Sequence, residues 1–319
     1  MKIIVNPTNS LGNRLACVSS CFALSELSGR DFEIMWTTPF QCGIDFLDLF
    51  EEQPFNYKEL DYNKASVSKD WTAKNKKHQK GRSDKELSRA ELDEKNFFHT
   101  TSSEGKKRTY VKDRFAASGE WILNSTIEEL VVLGGGVIRP SCISHTEFLK
   151  KRQEFYRQLR VRQELQDLAD SFLAPYEGKS ILGVHIRGTD FAKMFSKYKT
   201  PESIYKQARK AFGPYLSSYD NVYVTSEDIN ILNIALADIP NSISTLTDWP
   251  TKKDGSKDIN KHGTTGRGDK DKMLYAFISW LILSSCDCVM HNFKSTFARE
   301  AAIYGDKKTI PYNFSGECV

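Results

Sequence analysis

Ser180-Ile-Leu-Gly-Val-His-Ile-Arg-Gly-Thr-Asp190 reads as a buried strand that stops at a polar tip. Ile181, Leu182, Val184 and Ile186 supply the apolar, partly β-branched run of a strand inside a parallel sheet. His185, Arg187, Thr189 and Asp190 crowd its C-terminal end, where open α/β sheets bind ligands. Arg187 matters most, because a guanidinium is a rigid, permanently charged fork that suits phosphate oxygens. The alternative is an Arg187–Asp190 pair at a domain surface, which needs no ligand.

Strands and helices alternate on both sides of this stretch. Upstream, Lys2–Asn6 predicts a strand, Pro7–Asn13 a loop, Arg14–Leu27 a helix closed by Gly29, and Phe32–Trp36 a second strand. That β-loop-α-β unit opens a doubly wound domain. Asp45–Phe50 suggests a short helix, and Leu130–Leu133 a strand followed by the turn Gly134-Gly-Gly136. Phe148–Ala174 has the apolar spacing of one long helix. Downstream, helices are expected over Pro201–Phe212, Ile229–Ala237, Lys270–Ser285 and Ser295–Tyr304. Strands are expected over Asn221–Thr225, Ser242–Leu246 and Asp287–Met290, with a polar loop over Trp249–Gly268. Two α/β halves follow, 1–150 and 151–319, and a cleft between them is the default ligand site. Residues 64–114 are rich in Lys, Ser, Glu and Asp, peak in basic charge at Lys74–Arg82, and read as a surface insertion in the first domain.

A chain of 319 residues has room for two ordinary domains, and 39% hydrophobic residues suffice for their cores. A formal net charge of +4 is far below that of a dedicated nucleic-acid binder and fits a small polyanion equally well. The longest apolar run, Met273–Cys288, is broken by Ser279, Ser284 and Ser285 and is too short to span a bilayer. Met1-Lys-Ile-Ile-Val5 is too soon polar for a secretory signal. Seven irregularly spaced cysteines, with Cys286-Asp-Cys288 as their closest pair, give no zinc pattern. Cys17, Cys21, Cys286 and Cys288 sit in apolar contexts and are expected as reduced core residues in a reducing, cytoplasmic setting. His262 and His291 lack neighbouring ligands, so no metal is expected. Asp269-Lys-Asp271 is better suited to capping the next helix than to holding a cation.

Three strand-to-helix turns carry anion-binding chemistry. In Leu11-Gly-Asn-Arg14, Gly12 permits close backbone approach, Asn13 offers an amide, and the helix N-terminus favours negative charge. In Asn292-Phe-Lys-Ser-Thr-Phe-Ala-Arg299, Ser295 and Thr296 are N-cap residue types whose hydroxyls suit a phosphate as well as a cap. The third turn is the Arg187 tip. Ordinary capping and turn formation explain the first two without a ligand.

Together these residues resemble the fucosyltransferases, namely the α1,2-, α1,6- and protein O-fucosyltransferases. Gly12-Asn13-Arg14 is similar to their G-N-Q/R element, and His185-Ile-Arg187-Gly-Thr-Asp190 to their H-x-R-R-x-D motif. Tyr223-Val-Thr-Ser-Glu-Asp228 resembles their third strand with its acidic tip. Leu283-Ser-Ser-Cys-Asp287 followed by Ser295-Thr-Phe297 resembles their last motif.

The resemblance implies a GT-B-like α/β enzyme of two Rossmann-like domains facing a central cleft, which inverts the anomeric centre without a metal or cofactor. Its donor would be GDP-fucose, bound mainly by the C-terminal domain, and its acceptor a hydroxyl of an oligosaccharide or other glycan on the side of the N-terminal domain. On that analogy Arg187 holds the β-phosphate of the leaving GDP and Asn13 reaches it from the other domain. Gly12 and Arg14 belong to the same element as Asn13. His185 lies against guanine or ribose, Ser295, Thr296 and Phe297 line the nucleotide pocket, and Asp190 or Asp228 is the candidate base. Gly188 replaces the motif's second Arg, and Ser279 stands where many relatives carry an acid. The alternatives are a different nucleotide sugar, or a glycan- or nucleic-acid-binding module without catalysis. A chain with no membrane span fits a bacterial or viral cytoplasmic enzyme.

Overall fold

Ile3, Ile4 and Val5 are β-branched and wholly buried, as a strand at the centre of a covered sheet requires. In the computed structural model they form β1 (Lys2–Pro7). The structure describes residues 1–37, 42–60, 97–101, 107–112, 117–188, 200–245, 270–313 and 315–319. The expectations for Lys74–Arg82, Asp190, Leu246 and Trp249–Gly268 lie outside these residues. The chain divides into Met1–Arg160 and Val161–Val319.

In the first unit, β1 leads into α1 (Leu11–Ser28), three residues earlier than the sequence suggests. Helix α1 is buried on nearly every side, and Gly29 closes it at φ 63°, a left-handed conformation that glycine adopts without strain. Strand β2 (Asp31–Thr37), β3 (Asn56–Leu60), β4 (Phe97–Thr101), β5 (Lys107–Lys112), α2 (Ala117–Asn124), β6 (Glu129–Gly134) and α3 (His145–Gln158) follow. The sheet order is β3-β2-β1-β6-β5-β4. All pairings are parallel except β4 with β5.

Three expectations change in this unit. Asp45–Phe50 makes one turn, closed by Phe50 N–H to Phe46 O at 3.0 Å, and no helix. Phe46 and Phe50 are drawn into the core, where Phe46 packs on Trp36 with ring centroids 5.4 Å apart. Secondly, 97–101 and 107–112, expected within a surface insertion, are strands of the sheet. Short aromatic and β-branched runs (Phe-Phe-His-Thr-Thr and Thr-Tyr-Val) suffice for a strand once a neighbour offers its edge. Thirdly, a boundary at 150/151 would cut α3. That helix stays with the first unit because Phe155 packs against Phe22 and Phe55, at 5.5 and 5.4 Å, and Arg152 Nε donates to Ser19 Oγ at 3.0 Å.

The second unit starts at α4 (Gln163–Leu173). The single helix expected over Phe148–Ala174 is therefore two, α3 and α4. Between them Leu159 is extended (ψ 127°), the Arg160 carbonyl accepts from Glu51 N–H at 2.8 Å, and the Arg160 N–H donates to Gln53 Oε1 at 3.1 Å. Then come β7 (Ile181–His185), α5 (Pro201–Phe212), β8 (Asn221–Thr225), α6 (Ile229–Asp238), β9 (Ser242–Ile243), α7 (Lys270–Ser285), β10 (Cys288–Asn292), α8 (Thr296–Tyr304) and β11 (Lys308–Tyr312). The sheet order is β11-β10-β7-β8-β9, wholly parallel.

Side chains alternate across these strands. Leu182, Val184, Ile186, Val222 and Val224 join the core formed with α5 and α6. On the opposite face Tyr223 packs on Phe172 of α4, and His185 on Phe297 of α8. Helix α7 is apolar almost all round because α4 and α8 pack against it. Among the described residues no helix is long and apolar enough to cross a membrane.

Strand order fixes where a ligand can bind. From β7 the chain first winds through β8 to β9, then crosses back to β10 and β11 on the other side. The direction reverses between β7 and β10, so the connections leaving their C-terminal tips part there, the place where open α/β sheets bind ligands. In the first unit the equivalent reversal lies between β1 and β6.

Helix α8 lines the β10 tip, and its far end is pinned at Gly305. There a Cβ would run into the carbonyl of Ser284 at the end of α7. Gly305→Ala is expected to cost about 3 kcal/mol through overpacking, read as a lowered midpoint in urea unfolding.

Candidate functional site

His185 ends β7 and His291 and Asn292 end β10, side by side in register. Past β7, Arg187 is half-buried, and its Nη1 donates to the carbonyl of Lys294 at 3.2 Å. Past β10, the turn into α8 is tightly built. Asn292 Oδ1 accepts from Lys294 N–H at 3.1 Å, and Asn292 O accepts from Ser295 N–H at 2.7 Å. Ser295 is the N-cap of α8, its Oγ accepting from Ala298 N–H at 3.4 Å. The guanidinium therefore spans the reversal point and sits beside a helix N-terminus, whose partial positive charge favours anions.

His185 ties the tips together. Its Nδ1 is 3.1 Å from Ser295 Oγ, and its ring packs on Phe297 with centroids 5.4 Å apart. Its backbone carbonyl accepts from Tyr312 Oη at 3.2 Å. Nε2 faces Glu227 Oε2 at 3.9 Å. Burial first, then the nearby positive charge of Arg187 and the neighbouring His291, pushes the imidazole down to about 3, so the ring is neutral at physiological pH. Neutrality lets one ring nitrogen accept the Ser295 hydroxyl proton while Ser295 Oγ still caps α8.

The residues singled out from sequence fall into three groups. Arg187, His185, Ser295, Thr296 and Phe297 gather at the β7 tip and the start of α8. Asp228, considered as a base, caps α6 instead, its Oδ1 accepting from Asn230 N–H at 2.9 Å. Asp190 lies outside the described residues. In the first unit Gly12 and Asn13 occupy the first turn of α1, with Asn13 Nδ2 at 3.4 Å from Ser10 Oγ. Arg14 points inward: it is 0% exposed, lies over Trp36 at 4.8 Å, and donates from Nε to Asn9 O at 2.9 Å. Burial lowers its pKa. Its place is the core of the first unit rather than a ligand surface.

Gly188 is buried against α6. A Cβ there would sit 2.6 Å from Ile231 Cδ1 and 3.0 Å from Asp228 Cβ, and its N–H donates to Glu227 Oε1 at 3.1 Å. Ser279 is likewise structural, closing a chain of hydroxyls with Thr245 at 3.2 Å and, beyond it, Tyr223 at 3.3 Å. Glu227 and Tyr312 were not selected from sequence, although both hold the His185 tip. Glu227 was visible as part of an acidic strand end. Tyr312 gave no signal, since β11 itself went unrecognised. Among the described residues, no group of three or more His, Cys, Asp or Glu is placed to hold a metal ion.

No protein-family profile matches the chain, and no curated protein matches its sequence. Its fold is nevertheless known. The NodZ α1,6-fucosyltransferase soaked with GDP-fucose aligns with a TM-score of 0.56 at 15% identity, covering 99% of this chain and 96% of that one. Fucosyltransferase NodZ from Bradyrhizobium gives 0.56 at 14% identity, covering 100% and 97%. An Arabidopsis thaliana FUT1 variant in complex with GDP gives 0.57 at 16% identity, covering 99% and 72%. The chain has the α/β fold of GT-B-like fucosyltransferases.

The buried neutral imidazole makes stability pH-dependent. His185 binds fewer protons folded than unfolded between about 3 and its ordinary 6.5, so its contribution is complete above 6.5 and is lost as pH falls through that window. His185→Asn is expected to flatten the decline of the urea midpoint on acidification, relative to wild type. The remaining slope comes in part from His291, which burial also lowers.

Proposed function

We propose that this chain is a glycosyltransferase that takes GDP-fucose as donor and transfers fucose, with inversion and without a metal, to a hydroxyl of a glycan acceptor. The observation that carries the reading is Arg187, a cation held at the topological reversal of a parallel sheet, against the turn that starts α8. Such a position suits a diphosphate. The ordered set of short motifs supports a fucosyltransferase in particular. So does the fold shared with proteins whose structures carry GDP or GDP-fucose.

In an inverting transfer the acceptor oxygen bonds to the anomeric carbon from one face. The bond from that carbon to the β-phosphate oxygen breaks on the other, and its electron pair leaves with the diphosphate. Charge therefore grows on the leaving group as the transition state is reached. A fixed guanidinium at that place stabilises the transition state more than the ground state. His185, neutral and tilted 37° against Phe297, is buried, so it serves the nucleotide by holding the Ser295 turn rather than by direct contact. Ser295, through its cap, orients the first N–H groups of α8 toward phosphate. The acceptor proton needs a base. Asp228 is committed to capping α6, so Asp190 is the first variant to make.

Three measurements test this. GDP at about a hundred times its Kd should stabilise the protein by about 2.7 kcal/mol, whereas ADP and UDP at the same concentration should do far less. Arg187→Ala should keep the wild-type melting temperature and lose fucose transfer by about a hundredfold or more, the scale of one lost charge-stabilising contact. Chelator should leave the wild-type rate unchanged. Normal turnover by Arg187→Ala, or preference for another nucleotide, overturns the reading.

A further inference from the structure

The proposed reaction leaves more negative charge on the diphosphate than one guanidinium neutralises. The backbone beside Arg187 cannot supply a second cation, because Gly188 is packed on α6 with no room for a side chain. On the described residues of the two turns, 186–188 and 293–295, the other cation is Lys294. We propose that Lys294 is the second phosphate-binding cation of this site, contacting the terminal phosphate of a nucleoside diphosphate from the β10 side while Arg187 contacts it from the β7 side. The inference rests on the nucleotide-sugar reading given above.

Three features of Lys294 support it. Its main chain is fixed at both ends, the N–H by Asn292 Oδ1 at 3.1 Å and the carbonyl by Arg187 Nη1 at 3.2 Å. The bond from Arg187 brings its guanidinium to the main chain of Lys294, the point from which the Lys294 side chain departs. Asn292, which holds the N–H, is itself 3% exposed, so the turn is anchored in the core. The side chain, by contrast, is exposed, with Nζ 5.5 Å from the centre of the Phe293 ring. Phe293 is also exposed at 40%, so ring and ammonium both face solvent beside the turn that receives Arg187. A lysine that only solubilises the surface needs no such anchored backbone. An ammonium on a flexible stem can reach a phosphate as a point charge while the guanidinium binds it in a fixed geometry.

The test compares GDP with GMP, which lacks the terminal phosphate, by titration calorimetry on the full chain. Lys294→Ala should weaken GDP by about tenfold, and GMP by less than about twofold. Lys294→Arg should restore most of the GDP affinity, and added salt should weaken GDP binding less in Lys294→Ala than in wild type. Equal losses for GDP and GMP, or no loss at all, overturn the assignment of Lys294 and leave the nucleotide-sugar reading standing. Failure of the wild-type protein to bind GDP overturns that reading instead. Unchanged urea midpoints for both variants confirm that folding is not the cause.

Discussion

The pairing of His185 Nδ1 with Ser295 Oγ is the interaction on which the crevice depends. It crosses from the end of β7 to the start of α8, two elements separated by more than a hundred residues. Both partners are buried, and a buried polar atom left without a partner costs about 1–3 kcal/mol. The pair therefore fixes the distance between the tips rather than merely decorating it. It also requires a neutral ring: a doubly protonated imidazole would have no acceptor for the serine proton and would stand beside the guanidinium of Arg187. Burial and that same guanidinium enforce neutrality. Arg187 thus adds to what burial chiefly does, keeping uncharged the residue that positions the turn to which Arg187 itself donates.

The second unit was largely legible in the sequence because each strand there is a continuous apolar run ending in polar residues. Ile181–Ile186 and Asn221–Thr225 are buried at every position described, as parallel strands covered on both faces must be. The N-cap at Ser295 was readable from its residue type and from the apolar helix that follows. What the sequence could not supply was strand order. That β10 lies beside β7 follows from a crossover whose path no local pattern records, and only that adjacency brings Asn292, Phe293 and Lys294 to Arg187. Tyr312 was invisible for a related reason: Lys308–Tyr312 has only Ile310 and Tyr312, on either side of Pro311, to suggest a strand, and becomes one because β10 offers an edge.

The first unit was harder for physical reasons that its residues make plain. Strands β3, β4 and β5 are five or six residues long and sit among charged neighbours, so composition averaged over a window hides them. The break between α3 and α4 was masked by apolar residues that keep a helical spacing across it. Hydrogen bonds from Glu51 and Gln53, more than a hundred residues away, decide that break by capturing the Arg160 main chain. The resemblance groups Arg14 with Gly12 and Asn13 at the first strand-to-helix turn. Here the residue lies at the fourth position of α1, where the helix has already turned that side chain toward the sheet and Trp36.

Gly188 and Ser279, the two departures from the fucosyltransferase pattern, now have a common explanation in packing. At 188 the chain approaches α6 so closely that no side chain fits, and the peptide N–H is used to hold Glu227. Glu227 in turn faces the far nitrogen of His185, so the missing side chain is tied to the same network that sets the tips. At 279 the hydroxyl completes a buried relay through Thr245 to Tyr223, and a carboxylate in its place would bring an uncompensated charge into a site 5% exposed. Each substitution by the commoner residue would therefore disturb the scaffold before it could act on a ligand. The chain departs from the pattern where its own packing forbids the usual residue, and keeps it where a strand tip leaves the side chain room to face a crevice.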